Sequence, residues 1–324
     1  MQGEALTPAT AQTEGQQAIG IKRILIATDF SDVSQLAQVW GLALARYCGS
    51  EVYFAHAIPP EAHGAIPMDS LPKEIDRRRI EAESQMKALA DRAQAEGIAS
   101  QTLFKQGAAS AVIPRIVQEA GIDLLVLGTH GRGGLKKLVL GSVAEELLRL
   151  VSCPVLTVGR NVAPSASARA NIGRILFATD FGPGAAKALP YALFLAKEYS
   201  ASLVLLHMIP PVMVIQMEVV SDGSENYPVV KDLTNGEATE RQEGERKLKQ
   251  LMVSETARGF EPEYVVAADF LPHGILDAPA ERKAGLIVMG ATRPRSARAA
   301  AHIPWTFVHH VISEAECPVL TVMA

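Results

Sequence analysis

With 324 residues, 48% hydrophobic and 20% charged, the chain is long enough for two globular domains and too apolar to be disordered. A formal net charge of −4 gives no electrostatic case for nucleic acid, and no apolar run approaches a membrane-spanning length. Aromatic residues make up only 5%, so the core must come from Ala, Val, Leu and Ile, as in a parallel sheet covered by helices.

The first residues, 1–20, are rich in Ala, Gln, Thr and Gly without an apolar period and read as a disordered tail, with no signal-peptide pattern. Arg23–Ser31, RILIATDFS, reads as a buried strand running into a turn. Asp32–Tyr47 then repeats Leu36, Val39, Trp40, Ala43 and Leu44 at helical spacing. Val52–Ile58 is a second strand, followed by Pro59-Pro60 and a polar loop to about Leu71. Lys73–Glu96 reads as a long charged helix, Thr102–Lys105 as a short strand, and Gly107–Ala120 as a turn and helix. The order predicted for this half, ending in a strand at Val155–Val158, is β-α-β-α-β-α-β-α-β.

Asp123–Thr157 is the stretch with chemical content. Leu124–Leu127 is a continuous apolar run, the pattern of a strand buried on both faces. It ends at Gly128; Gly131 follows, and after nine intervening residues Gly141-Ser142 opens an amphipathic helix carrying Val143, Leu147, Leu150 and Val151. Ser142 and Glu145 stand in capping-box relation. Glycines allow close backbone approach, and a helix N-terminus offers unpaired N–H donors, so the stretch reads as an anion site. A plain glycine-rich turn remains the competing reading. The P-loop is excluded, because no Gly-Lys-Ser/Thr closes the motif.

The whole pattern then repeats. RILIATDFS returns as RILFATDFG at 174–182, Ala55–Pro60 aligns without a gap on Leu206–Pro211, and SCPVLTV at 152–158 returns as ECPVLTV at 316–322. The predicted organisation is a first domain at 21–160, a linker at 161–172 rich in Ala, Ser and Arg, and a second domain at 173–324. An insertion follows Pro211, and its alternating Met213, Ile215, Met217 and Val219 suit an extra hairpin, either a flap over a site or a surface excursion. The three cysteines, Cys48, Cys153 and Cys317, lack metal-ligand spacing and read as small buried hydrophobes in a reduced, cytoplasmic setting.

These residues resemble the universal stress protein family in its tandem form. The family's signature, G-x2-G-x9-G-[S/T], is met by Gly128, Gly131, Gly141 and Ser142. Ala27-Thr28-Asp29-Phe30-Ser31 is similar to the family's first strand and acidic turn, and the His-x-Ile and Cys-Pro-Val blocks also agree. The resemblance implies an α/β fold of two tandem doubly wound domains, each a five-stranded parallel sheet with helices on both faces, of the adenine nucleotide alpha hydrolase-like type. It implies ATP, alone or with Mg2+, across the carboxyl ends of the strands. Carried over, Ala27, Thr28 and Asp29 would lie by the adenosine and Ala57 would flank the adenine. Leu127 and Gly128 would meet the ribose and first phosphates, and Gly131, Gly141, Ser142 and Val143 would bind the phosphates. Pairing through the last strands would make an intramolecular pseudo-dimer; a homodimer of chains is also compatible.

The residues themselves leave alternatives. Asp29 is either a ligand contact or a turn former or helix N-cap. His56 and its twin His207 read as orienting a loop, and Lys136 and Lys137 either meet phosphate or are solvated. In the second copy Gly131, Gly141, Ser142 and Glu145 become Arg293, Trp305, Thr306 and His309, and Ala57 becomes Met208. That copy is therefore expected not to bind ATP in the family manner, while Arg293, Arg295 and Arg298 either hold another anion or are surface charge. The function expected is nucleotide-dependent regulation from the first domain, with no catalytic residue or metal assigned. A slow ATP hydrolase and a ligand-free structural module are the alternatives.

Overall fold

A computed structural model describes residues 19–58, 71–130, 140–163, 172–209, 213–219, 226–232, 234–256, 260–269, 272–292 and 304–324. The first half runs β1 (Arg23–Ala27), α1 (Asp32–Cys48), β2 (Glu51–Ile58), α2 (Leu71–Ala95), β3 (Ser100–Gln106), α3 (Ala109–Glu119), β4 (Leu124–Gly128), α4 (Ser142–Leu150) and β5 (Val155–Val158). The second runs β6 (Arg174–Ala178), α5 (Pro183–Glu198), β7 (Ser202–Ile209), β8 (Met213–Val219), β9 (Asn226–Asp232), α6 (Thr234–Leu251), α7 (Val253–Thr256), β10 (Glu263–Ala268), α8 (His273–Arg282), β11 (Leu286–Ala291), α9 (Pro304–Glu314) and β12 (Val319–Met323). The tail and most of the linker lie outside the described residues.

The strands form one ten-stranded sheet in the order β10-β7-β6-β11-β12-β5-β4-β1-β2-β3. Within each half the five strands are parallel, which needs the helical crossovers the sequence supplies. The halves meet at β5 and β12, which pair antiparallel with Leu156 opposite Leu320. The last strands thus join the two copies into a pseudo-dimer within one chain. The Thr157 hydroxyl donates to the Val319 carbonyl at 3.1 Å across this seam.

Alternate strand residues feed two cores. Ile24, Ile26, Leu156 and Leu320 lie on one face with Trp40 of α1, Met86 of α2, Ala188 of α5 and Leu248 of α6. Leu25, Val155 and Val319 lie on the other with Ile113 of α3, Leu147 of α4, Ile275 of α8 and Val311 of α9. Both cores cross the seam. Burial on both faces explains why these strands read as continuous apolar runs instead of alternating ones. The same burial pushes the Cys48, Cys153 and Cys317 thiols up to about 12, as expected of packing cysteines.

Both ends of the predicted linker are packed. Val162 and Ile172 are buried in the first of these cores, and the Asn161 amide donates to the Glu314 carbonyl at 3.0 Å. The insertion contains a two-stranded antiparallel hairpin, β8 with β9.

Candidate functional site

The turns after β1 and β6 share one framework. Phe30 and Phe181 hold left-handed backbone, with φ of 62° and 60°, unusual for a bulky residue. Each is stabilised by its own N–H donating to the Thr28 or Thr179 hydroxyl, at 3.0 Å in both cases. His56 Nδ1 donates to the Thr28 carbonyl at 2.8 Å, and His207 Nδ1 to the Thr179 carbonyl at 2.9 Å. Their rings lie 4.6 Å and 4.4 Å from Phe30 and Phe181. These histidines orient a loop, as the sequence suggests. Asp29 Oδ1 accepts from the Ser31 N–H at 3.0 Å and the Ser31 hydroxyl at 2.6 Å, so Asp29 is a turn former. The N-cap of α1 is Ser31.

In the first half the ends of β1, β2 and β4 and the starts of α3 and α4 enclose a cavity of about 690 Å³, within the ordinary size range of small-molecule sites. Nine of the ten predicted site residues line it: Ala27, Thr28, Asp29, Ala57, Leu127, Gly128, Gly141, Ser142 and Val143. Gly131 lies outside the described residues, as do Lys136 and Lys137. One wall is apolar, made by Ala55, Ala57, Ala109 and Ile113; the other is polar, made by Thr28, Asp29, Thr129, His130 and Ser142.

The glycines also serve packing within the protein. A Cβ on Gly128 would sit 3.0 Å from Val33 C and Ser34 N, so this glycine lets the first turn of α1 close on β4. A Cβ on Gly141 would sit 2.9 Å from the Thr129 carbonyl oxygen, the atom to which the Gly141 N–H donates at 2.8 Å. Both positions therefore have a packing reason, within the protein itself, to be glycine.

The capping box is corrected. The N-cap of α4 is Gly141, in extended conformation, and no side chain caps the helix. Ser142 is the first helical residue, one place too late to cap. The Glu145 carboxylate instead accepts from Arg149 at 2.7 Å, and its other oxygen lies 3.9 Å from His309 Nε2 of the second half. Burial holds His309 below the usual histidine range. The first turn of α4 borders the cavity, and among the described residues no side chain caps its N–H groups, the arrangement that favours an anion.

Several residues in or behind the lining escaped the sequence reading. Ser34 and Gln38, on α1, form a buried cluster with Thr28: Gln38 Nε2 donates to Thr28 Oγ1 at 2.9 Å, and Ser34 Oγ lies 3.1 Å from it. In the second copy they become Ala185 and Leu189, a difference that comparing the repeats would have exposed. Thr129 and His130 close the polar wall; among the described residues no three His, Cys, Asp or Glu gather as metal ligands.

The second copy differs at the same strand ends. Met208 is buried where Ala57 is half-exposed, and its side chain fills the space against Gly274 of α8. Gly290 of β11 lies so close to Gly184 and Ala185 of α5 that a Cβ there would overlap backbone. Arg293, Arg295 and Arg298 lie outside the described residues.

A family model described as the universal stress protein family matches residues 20–159 and again 171–323. The chain belongs to the universal stress protein family. A universal stress protein of Methanocaldococcus jannaschii is 30% identical over 138 residues, which cover 42% of the chain and 81% of that relative. A universal stress protein structure from Archaeoglobus fulgidus shares the tandem fold, with TM-score 0.67 at 21% identity over 94% of this chain and 97% of that one. A universal stress protein solved in complex with cAMP matches 43% of this chain and 98% of its own at 23% identity, with TM-score 0.34. Among the described residues, no helix is long and apolar enough to cross a membrane.

Proposed function

We propose that the first half of this universal stress protein binds an adenine nucleotide, ATP, in the cavity at the carboxyl ends of β1, β2 and β4, and that occupancy serves regulation. The observation that carries the reading is the first turn of α4, uncapped by any side chain among the described residues and opening on that cavity. Its N–H groups and the Ser142 hydroxyl suit phosphates. The small apolar wall at Ala55, Ala57 and Ala109 suits a flat ring. Thr28 and Asp29 stand between the two, where a ribose would lie.

Binding is favoured over hydrolysis. The carboxylates of the described lining, Asp29 and Glu145, are engaged by Ser31 and Arg149, which leaves neither poised as a base toward a terminal phosphate. Mg2+ would accordingly enter with the nucleotide. In the second half, Met208 and the close α5–β11 approach support a copy that does not bind ATP in this way.

The test is titration calorimetry with ATP, together with mass analysis of nucleotide released by acid from the purified chain. Binding at one site per chain is expected, with cAMP as competitor to define the preferred ligand. Val143 is 47% exposed at the cavity lip, so Val143→Glu keeps the fold while placing a negative charge among the phosphates. An affinity loss of about tenfold or more is expected, with an unchanged melting temperature. Full affinity in that variant, or no binding by the wild-type chain, sinks the reading.

A further inference from the structure

His130 lines the polar wall of the cavity, and both ring nitrogens are held. Nδ1 lies 2.8 Å from Thr129 Oγ1, and Nε2 lies 2.9 Å from Arg160 Nη2. A guanidinium has no acceptor, so Arg160 donates and Nε2 accepts. The imidazole is then neutral, with its proton on Nδ1 directed to Thr129. The Nε2 lone pair is committed to a cation, which makes His130 a bracket for Arg160.

Arg160 is placed by the second copy. It follows β5 in the segment whose Asn161 donates to the Glu314 carbonyl at 3.0 Å, at the end of α9. A Cβ on neighbouring Gly159 would lie 3.6 Å from the Ile312 carbonyl oxygen, so the chain runs beside α9 at ordinary van der Waals distance. Val162 is buried in the shared core. The segment is anchored on both sides of Arg160.

Charge gives this geometry a use. The described lining residues include two carboxylates, Asp29 and Glu145, and no Lys or Arg. A polyphosphate adds further negative charge close to His130 and Gly141. Backbone N–H groups supply only partial charge, whereas a guanidinium supplies a full one.

We propose that Arg160, seated on His130 by the second copy, is a specificity-determining residue that makes the cavity prefer nucleoside di- and triphosphates over the monophosphate. This rests on the first half binding adenine nucleotides. It assigns the second half a task in that binding, because α9 holds the segment that carries the cation.

The experiment is calorimetry of the full chain with ATP, ADP and AMP, on wild type, Arg160→Gln and Arg160→Lys. Arg160→Gln retains a donor for His130 Nε2 and removes the charge. It should weaken ATP binding about tenfold and leave AMP within about twofold, with ADP between them. Arg160→Lys should restore most of the ATP preference. Raising the salt concentration should narrow the gap between wild type and Arg160→Gln, as screening of a charge requires. An unchanged ATP-to-AMP affinity ratio in Arg160→Gln overturns the proposal, and so does an equal loss for both nucleotides, the mark of a merely structural prop. Absence of nucleotide binding by the wild-type chain would instead overturn the underlying function.

Discussion

Gly128 and Gly290 occupy equivalent places, at the ends of β4 and β11, and each permits a helix to close on its strand. The closeness differs. At Gly128 a Cβ would crowd Val33 and Ser34 at 3.0 Å, while at Gly290 it would overlap the backbone of Gly184 and Ala185. Gly290→Ala is therefore expected to destabilise the chain by about 3 kcal/mol, read by urea denaturation, because α5 must move as a whole. Gly128→Ala should cost less, since the neighbour needs to give by only a few tenths of an ångström. If the two variants prove equally stable, the second copy is not as tightly closed as described. Asp29 teaches a related lesson about single residues. An acid at a strand end is legible as polar and near the site, but its turn-forming bond to Ser31 depends on how the chain bends after β1.

At the level of elements, α4 is the informative one. Its position and apolar face were readable from Val143, Leu147 and Val151, yet its cap was not, because the residue that caps depends on where the chain leaves Thr129. An element-scale prediction concerns α1 and α5, whose ends meet across the seam. Tyr47 and Tyr199 stack there with centroids 4.0 Å apart, and the buried Tyr199 hydroxyl has no hydrogen-bond partner among the described residues. Burial accordingly raises the Tyr199 phenol above its usual range. Tyr199→Phe keeps the stack and removes an unsatisfied polar group, so a stability gain of about 1 kcal/mol is expected in thermal melts. A loss of similar size would mean that the hydroxyl is satisfied by water.

Across the whole molecule, the seam decides behaviour. Both cores run through β5 and β12, so neither half has a core of its own that ends at the seam. Coincident unfolding of the halves is expected. Cys153 and Cys317 report one half each, both thiols being buried and pushed up to about 12 in the folded state. In single-cysteine variants, thiol labelling across a urea series should show one shared midpoint. Two separated midpoints would show independent halves joined only at an edge.

The amino-acid sequence by itself determined the repeat, the α/β class, the strand and helix order and the stretch around Gly128–Ser142, since periodicity and internal comparison are local properties of a chain. Its neighbours at the site were another matter. The Thr28–Ser34–Gln38 cluster spans a strand and a helix, the Arg160–His130 contact bridges the ends of β4 and β5, and the anchor of Arg160 comes from α9, more than a hundred residues away in sequence. Such contacts are decided by how helices settle on the sheet and by the antiparallel pairing of β5 with β12. Only the tertiary structure could show that the strand ends of the first copy border a cavity, and that in the second Met208 lies against Gly274 while α5 closes on Gly290. Gly128 and Gly290 look the same in sequence, and the backbone that approaches each makes the difference.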